Sequence, residues 1–231
     1  MSAILNIETS TNVCSVAVSQ DGSLLMEKRD LKGPSHNTIL GEFIQESLSF
    51  LNSHAIPLDA VAVSCGPGSY TGLRIGVSMA KGICYGQGVP LIAIPTLEVL
   101  AVPALLYHEE EIPENALICP MLDARRMEVY AAVFDRALKA VVPTYAQVLD
   151  ESSYKEQLEK GPVVFVGPGA LKAQKVITHP SALFMPDIQP LAKSMIPLAE
   201  KAVAEQRFAD TAYMEPFYLK EFVATTPRKL L

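Results

Sequence analysis

AVAVSCGPGSYTGLRIG, residues 60–76, joins a short apolar run to a glycine-rich turn and the start of a helix. The run at 60–64 is typical of a strand that is buried on both faces. The glycines and Pro67 predict a tight turn, and the pattern after it predicts a helix over about residues 71–85. A buried strand that leads directly into a helix indicates an α/β fold.

The segments on either side of this unit extend it to a complete lobe. Pro34 and Ser35 predict the start of an amphipathic helix, and Thr96 is expected to cap a second helix that follows a strand at 91–94. Three strands are predicted before them, at 3–8, 13–19 and 24–29. The order βββαβαβα matches one lobe of the actin-like ATPase fold.

The second half of the chain begins after an acidic segment at 108–115, which is the predicted lobe junction. Further elements are predicted as strands at 116–122, 127–134 and 163–166, and as helices at 152–159 and 196–204. We therefore expect a two-lobed actin-like ATPase (ASKHA) fold, each lobe a mixed sheet with flanking helices. The lobes are predicted at 1–107 and 108–231, and the second echoes the first only loosely.

Composition excludes several classes of protein. The chain has 49% hydrophobic residues, 19% charged residues and a net charge of -6. A globular fold is expected, whereas a stand-alone nucleic-acid binder is disfavoured, because few phosphates would be neutralised. Four cysteines without a C-x-x-C pair indicate reduced thiols and a cytoplasmic protein. No export signal is recognised, and prolines interrupt the apolar window at 89–107, which argues against a membrane span.

The turn after residue 64 has two open interpretations. It is available for anion binding, because free backbone N–H groups and the positive end of a helix dipole meet there, but a tight βα turn explains the same residues. It matches neither a P-loop nor a dinucleotide fingerprint. Gly72, Gly76 and Ala80 form a stripe of small residues on the helix, which indicates close approach either by the first helix of this chain or by a partner's helix.

Two polar turns resemble the phosphate hairpins of actin-like folds. The first contains Glu8, Ser10 and Thr11, and Ser10 stands where a glycine is expected. The second follows Asp123 and contains two arginines, Arg125 and Arg126, which are either an exposed charge pair or contacts for an anion or partner. A third turn, Gly167-Pro168-Gly169, follows a predicted strand and resembles the adenosine-side turn of such folds. A vestigial nucleotide site is therefore predicted from the three turns, with Glu8, Ser10, Thr11, Asp123, Gly167 and Gly169.

Neither a metal site nor catalytic machinery is predicted. His36 opens the first helix, but the residue one turn later is Leu40 rather than a second ligand. We interpret His36 as a polar residue at a helix start or at an interface. No nucleophile elbow, zinc-binding histidine pair or kinase signature occurs.

Together these segments resemble the TsaB family, also called YeaZ, which is related to the glycoprotease-like protein TsaD. The resemblance spans essentially the whole chain, and residues 66–76 are its most specific part. The other segments that carry it are Glu8-Thr-Ser-Thr, Cys14-Ser-Val-Ala-Val, His36, Asp123-Ala-Arg, Glu128-Val-Tyr, Gly167-x-Gly-Ala and Pro216-x-Tyr-Leu-Lys. Glu8 and Lys220 depart from the family pattern, in which many members have Asp and Arg.

The resemblance implies a non-catalytic subunit that binds and activates TsaD during threonylcarbamoyl transfer to the tRNA adenosine beside the anticodon. The implied partners are TsaD and the ATPase TsaE. The chain is expected to form a homodimer when it is alone, to contact tRNA only through the complex, and not to bind a membrane. No cofactor is expected in the chain by itself, and ATP or ADP is expected at the junction with TsaD. The expected interface consists of His36, Ile39, Leu40, Phe43, Leu48, Tyr70, Thr71, Gly72, Arg74, Gly76, Met79 and Ala80. A stand-alone actin-fold ATPase or small-molecule kinase is the alternative.

Overall fold

A computed structural model describes residues 2–33 and 36–220. The predicted helix start at Pro34 and Ser35 lies outside these residues. Each half of the chain contributes one five-stranded mixed sheet. The first sheet contains β1 (Ala3–Glu8), β2 (Cys14–Gln20), β3 (Ser23–Asp30), β4 (Ala60–Gly66) and β5 (Leu91–Pro95). The second sheet contains β6 (Leu117–Asp123), β7 (Glu128–Phe134), β8 (Ala140–Val148), β9 (Val163–Val166) and β10 (Ala182–Met185).

Both sheets have the same strand order. The first reads β3-β2-β1-β4-β5, and the second reads β8-β7-β6-β9-β10. In each sheet the first three strands form an antiparallel meander, and the last two join it in parallel. The predicted two-lobed fold is confirmed, and the second lobe repeats the sheet of the first more closely than its sequence indicates.

The helices differ in length between the lobes. The structure contains α1 (His36–Ser53), α2 (Tyr70–Gln87), α3 (Thr96–Tyr107), α4 (Lys155–Lys160), α5 (Ala170–Ala173) and α6 (Ile196–Ala204). Two 3-10 helices, Glu109–Glu111 and Ala192–Met195, complete the order. None of the described helices is both long enough and apolar enough to cross a membrane.

The first sheet is covered on both faces, which explains why β1 and β4 are mostly apolar and why nearly all of their residues are buried. Leu5 and Ile7 share one hydrophobic cluster with α1 and α2. Ile4 points the other way into a cluster with Val99 of α3 and Leu198 of α6. Alternate residues of a strand face opposite sides, so a strand between two helical layers has no polar face.

Helix α3 lies between the two sheets. Its Leu97, Leu100 and Ala104 pack against the second sheet, whereas Val99 and Val102 pack against the first. This double contact accounts for the apolar window that ends at residue 107.

The chain returns to the first lobe at its end. Residues 192–204 belong to the sequence assigned to the second lobe, yet α6 covers the first sheet. Residues 209–220, here called the C-terminal strap, continue along the first lobe. Ala209 pairs with Leu91, and Lys81 of α2 donates hydrogen bonds to two strap carbonyls, those of Ala212 and Met214.

One local prediction is wrong, and a second is confirmed with a later start. Thr96 does not cap α3: it is the first helical residue, Pro95 occupies the cap position, and the buried Thr96 hydroxyl has no hydrogen-bond partner among the described residues. The helix predicted over 152–159 begins only at Lys155, because residues 151–154 form turns that Asp150 stabilises by accepting from the Ser152 backbone N–H at 2.9 Å.

Candidate functional site

Helices α1 and α2 lie side by side on one face of the first sheet and form the first candidate site. Their inner sides supply Leu40, Ile44, Val77 and Cys84 to the hydrophobic cluster beneath. Ser69 caps α2 by accepting from the Gly72 backbone N–H at 3.2 Å, and Gly88 ends the helix with a φ of 68°. The outer sides of both helices remain accessible.

The predicted small-residue stripe faces inward. A Cβ at Gly72 would overlap the Thr9 carbonyl oxygen, and one at Gly76 would overlap the Thr9 hydroxyl. That hydroxyl donates to the Gly72 carbonyl at 2.8 Å, and Ala80 is fully buried. The stripe therefore lets α2 approach the β1–β2 turn of its own chain, and neither of the two partners expected from spacing, the first helix or a foreign helix, is its main contact.

A second stripe of small residues, which the sequence analysis missed, faces outward. Ser78, Gly82 and Gly86 are exposed on α2, and in the described part of the chain no atom lies within 4 Å of a Cβ built at Gly82 or Gly86. Gly41 on α1 has the same open surroundings. The spacing of four residues was visible in the sequence, but it does not tell which side of a helix is buried.

The predicted interface residues divide into two groups. His36, Leu40, Gly72, Gly76 and Ala80 are buried within the chain and offer no surface to a partner. The accessible group contains half-buried Ile39, Phe43, Leu48 and Tyr70, and exposed Thr71, Arg74 and Met79.

His36 connects α1 to the β1–β2 turn rather than to a partner. Its Nε2 lies 2.7 Å from the Thr11 carbonyl oxygen, and the side chain is buried. Within residues 2–33 and 36–220, no group of three or more His, Cys, Asp or Glu side chains is placed to hold a metal ion.

The second candidate site is a cleft of about 840 Å³ between the lobes. Ser10 and Thr11 approach it from the first lobe together with the first turn of α2, and Asp123 and Arg125 approach it from the second lobe. The end of the C-terminal strap, residues 217–220, also lines it.

Only half of the predicted nucleotide-site residues face this cleft. Ser10, Thr11 and Asp123 line it, whereas Glu8, Gly167 and Gly169 do not. A Cβ at Gly167 would come within 3.0 Å of Leu100, and one at Gly169 would lie 2.8 Å from the Met121 backbone carbon. These two glycines allow close packing in the core, and their part in a nucleotide site stays a prediction.

Glu8 is turned into the protein interior. Its Oε1 accepts from the Ser10 backbone N–H at 2.6 Å and from the Ser64 hydroxyl at 3.1 Å. Burial raises the pKa of the Glu8 carboxyl, although these hydrogen bonds partly oppose the rise. A carboxyl in this position holds the β1–β2 turn against β4 and has no access to a metal or phosphate in the cleft.

The strap joins the two candidate sites. The Phe217 backbone N–H donates to the Cys65 carbonyl at 2.7 Å, and the Tyr218 ring lies 4.9 Å from the Tyr70 ring. The Arg74 guanidinium lies over the Tyr70 ring and donates from Nε to the Tyr218 hydroxyl at 3.3 Å. Lys220 then pairs with Glu128 of the second lobe.

Comparisons with known proteins give this architecture a family. The family model described as "TsaD: tRNA N6-adenosine threonylcarbamoyltransferase" matches residues 31–226. The "tRNA threonylcarbamoyladenosine biosynthesis protein TsaB" of Escherichia coli (strain K12) is 31% identical over 229 residues, which cover 96% of each chain. The chain belongs to the TsaB family.

Other TsaB family relatives agree with this assignment. The protein of the same name from Haemophilus influenzae is 27% identical and covers 95% of this chain and 94% of the relative. The structure titled "YeaZ from Pseudomonas aeruginosa" superposes with a TM-score of 0.78 at 24% identity, covering 95% of this chain and 100% of that one, and shows the same fold. The resemblance to the TsaB family, first noted from the motifs, is thereby confirmed.

Proposed function

We propose that this chain is a non-catalytic subunit of tRNA threonylcarbamoyladenosine biosynthesis that binds TsaD and supports threonylcarbamoyl transfer to the adenosine beside the anticodon. Membership of the TsaB family supports the pathway, since the similar curated proteins carry it in their names. The match to the TsaD family model indicates that this chain and its proposed partner are related.

The exposed glycines of α2 carry the proposal of partner binding. Each glycine inside a helix costs about 1 kcal/mol of helix stability relative to alanine. Gly72 and Gly76 offset this cost by accommodating Thr9, but among residues 2–33 and 36–220 nothing lies within 4 Å of a Cβ built at Gly82 or Gly86. A helix from another subunit that approaches closely at Ser78, Gly82 and Gly86 supplies the missing contact.

The surroundings of these glycines suit an apolar helix. Met79 and Tyr85 are exposed on α2, and Tyr85 is 90% exposed. Ile39, Phe43 and Leu48 of α1 are half-buried, and nothing among the described residues lies within 4 Å of a Cβ built at Gly41. A partner that presents two helices would complete a four-helix bundle with α1 and α2, and we propose that a second copy of this chain occupies the surface when TsaD is absent.

The remaining assignments follow from the proposed complex. TsaE joins it, tRNA contacts this chain only through it, and the complex acts in the cytoplasm. ATP or ADP binds at the junction with TsaD, whereas the isolated chain holds no nucleotide. The buried Glu8 and the core-packed Gly167 and Gly169 support this last point, because these three of the six residues expected to hold a nucleotide do not line the cleft. For the same reason a stand-alone ATPase has weaker support.

The association test uses a small-to-large substitution on the open face of α2. Gly82→Leu should raise helix stability, since leucine is a better helix former, while its side chain blocks close approach. Binding of purified TsaD, measured by titration calorimetry, should weaken by about tenfold or more, equivalent to about 1.4 kcal/mol. Glu156→Leu on α4 is the matched control, because it adds the same side chain to an exposed helix of the second lobe.

Each outcome has a defined meaning. Loss of TsaD binding in Gly82→Leu but not in Glu156→Leu supports the α1–α2 surface. Unchanged binding in Gly82→Leu contradicts it. Titration of ATP into the isolated chain tests the non-catalytic role, and tight binding accompanied by turnover would establish the stand-alone ATPase instead.

A further inference from the structure

Two tyrosines on either side of Lys81 are the most exposed large apolar side chains of the described residues. Tyr85 is 90% exposed, and Tyr213 is 84% exposed. Tyr85 follows Lys81 by one turn of α2. Tyr213 stands between the two strap residues, Ala212 and Met214, whose carbonyls accept from Lys81 at 3.0 and 3.1 Å. A single exposed apolar residue is ordinary, but two tyrosines beside one anchoring lysine form a local surface that suits a partner.

Tyr213 is carried on a hydrogen-bonded turn of the strap. The Asp210 Oδ1 accepts from the backbone N–H groups of Ala212 at 2.8 Å and of Tyr213 at 3.1 Å. The Met214 N–H donates to the Asp210 carbonyl at 2.8 Å, and the Met214 side chain packs against the hydrophobic cluster of the first lobe. The turn is therefore fixed to the lobe while the Tyr213 ring stays in solvent.

This arrangement lowers the entropic cost of covering the Tyr213 ring. Association costs free energy whenever a loop has to be ordered at the interface, and here the backbone is already held by the Asp210 and Lys81 hydrogen bonds. A tyrosine also has only two side-chain torsions to fix, and its ring supplies a large contact area. The turn thus presents Tyr213 in a form that favours binding.

The two tyrosines continue the open face of α2. Successive residues of an α-helix are rotated by about 100°, which places Tyr85 about 60° from Gly82 and about 40° from Lys81 around the helix axis. Tyr85 therefore lies between the exposed stripe of small residues and the flank of α2 that Lys81 connects to the strap. A partner helix that lies along the stripe meets Tyr85 at its edge and the turn with Tyr213 beyond it.

Given the proposed association with TsaD, on which this step rests, we propose that TsaD binds across both α2 and the strap, with the Tyr213 ring in an apolar pocket of TsaD. Tyrosine is enriched among the residues that dominate binding energy at protein interfaces. Lys81 and Asp210 are positioning residues, because they hold the turn and leave the contact itself to Tyr213. The strap thereby becomes part of the TsaD surface, in addition to the helices α1 and α2.

The test compares three tyrosine variants of the full chain by titration calorimetry with purified TsaD. Tyr213→Ala should weaken binding by about tenfold or more, and Tyr213→Phe by no more than about threefold, since phenylalanine keeps the ring. Tyr107→Ala is the matched control, because Tyr107 is 62% exposed at the end of α3 and lies outside this surface. It should change the affinity by no more than about twofold, and all three variants should keep the parent's melting temperature, since the side chains are exposed.

A second pair of variants tests the turn. Asp210→Asn keeps a side-chain oxygen that accepts the same two N–H bonds, whereas Asp210→Ala removes it. Asp210→Ala should therefore weaken TsaD binding by a few fold, and Asp210→Asn should restore the parent's affinity. A loss of melting temperature in Asp210→Ala without a loss of affinity would contradict the positioning role, and so would an equal loss of affinity in both variants.

The outcomes separate the strap from the helical surface. Parent-like TsaD binding by Tyr213→Ala, together with lost binding by Gly82→Leu, would overturn the part assigned to the strap and leave the proposed function intact. A parent chain that does not bind TsaD would overturn the proposed function itself. Weaker self-association of Tyr213→Ala in sedimentation equilibrium, with unchanged TsaD binding, would assign the strap to the homodimer instead of to TsaD.

Discussion

The two lobes share one sheet topology but differ in the helices that cover it. In the first lobe, the connections before and after β4 are the 18-residue helices α1 and α2. In the second lobe, the corresponding connections around β9 contain α4 with 6 residues and α5 with 4 residues. The sheet is therefore the common scaffold, and the long helices of the first lobe are the feature available for a lobe-specific role.

The ends of the first strands show the same contrast on a smaller scale. Glu8 ends β1 and Asp123 ends β6, so the two acids occupy equivalent places in the repeated topology. Glu8 is fully buried, whereas the Asp123 side chain is 51% exposed and pairs with Lys172. The acid at this position therefore forms hydrogen bonds inside the first lobe, whereas the equivalent acid of the second lobe lines the cleft.

Leu100→Ala should have the largest effect, and it tests whether the lobes behave as separate units. Leu100 is fully buried in α3, where it contacts Gly167 of the second lobe. Truncation of such a side chain costs about 2–5 kcal/mol. We expect a lower free energy of unfolding with a single transition in urea, measured by circular dichroism and by fluorescence. Two separate transitions would show that α3 does not couple the lobes.

Alanine substitutions at the inward and outward glycines of α2 should change the free energy of unfolding in opposite directions. Gly72→Ala forces a Cβ against the Thr9 carbonyl and should destabilise the chain by about 1–3 kcal/mol, whereas Gly82→Ala should stabilise it by up to about 1 kcal/mol. Urea unfolding of both variants measures the difference. Equal effects would contradict the assignment of the two stripes to opposite sides.

The substitutions Glu8→Gln and Asp123→Asn compare how each of the two equivalent acids makes the free energy of unfolding depend on pH. A raised pKa means that folded Glu8 keeps a proton that the unfolded chain releases above its ordinary value of 4.5. This contribution to stability is complete below that value and is lost as pH rises towards the folded pKa, with a slope of at most about 1.4 kcal/mol per pH unit. Glu8→Gln should remove this slope, and Asp123→Asn should retain it. The prediction is contradicted if, between pH 4.5 and the folded pKa, the free energy of unfolding of the parent protein does not fall more than that of Glu8→Gln.

Removal of the strap's ion pair should have the smallest effect. The Lys220 and Glu128 side chains are 47% and 18% exposed, and such pairs contribute about 0–1 kcal/mol. Lys220→Gln should therefore lower the melting temperature only slightly, by scanning calorimetry, and less in high salt. A larger loss would mean that the strap contributes to holding the lobes together.

Sequence patterns were sufficient to predict the strands that consist of apolar runs, but they were insufficient to predict elements of only four residues. The strands around residues 60–66 and 163–166 were predicted because a strand covered on both faces is apolar throughout. The four-residue α5 and β10 were missed, since neither is long enough to show a period.

The candidate sites were only partly predictable because a residue type does not reveal which way its side chain points. Gly72 and Gly82 have the same local spacing, but only the fold buries the first against Thr9. Glycines at 167 and 169 suit a ligand or a close core contact equally well until Leu100 and Met121 are seen beside them. Arg125 and Arg126 are adjacent in one turn, and only the structure shows that the first lines the cleft and the second does not.

The return of α6 to the first sheet has a consequence for synthesis on the ribosome. The face of β1 that carries Ile4 is covered by Met195, Leu198 and Ala202, which are translated almost 200 residues after it. A nascent chain that ends before residue 192 leaves that face covered only in part, by Val99 and Val102 of α3. The lobe that emerges first is therefore completed only after the sheet of the second lobe has been translated, when residues 192–204 have been synthesised.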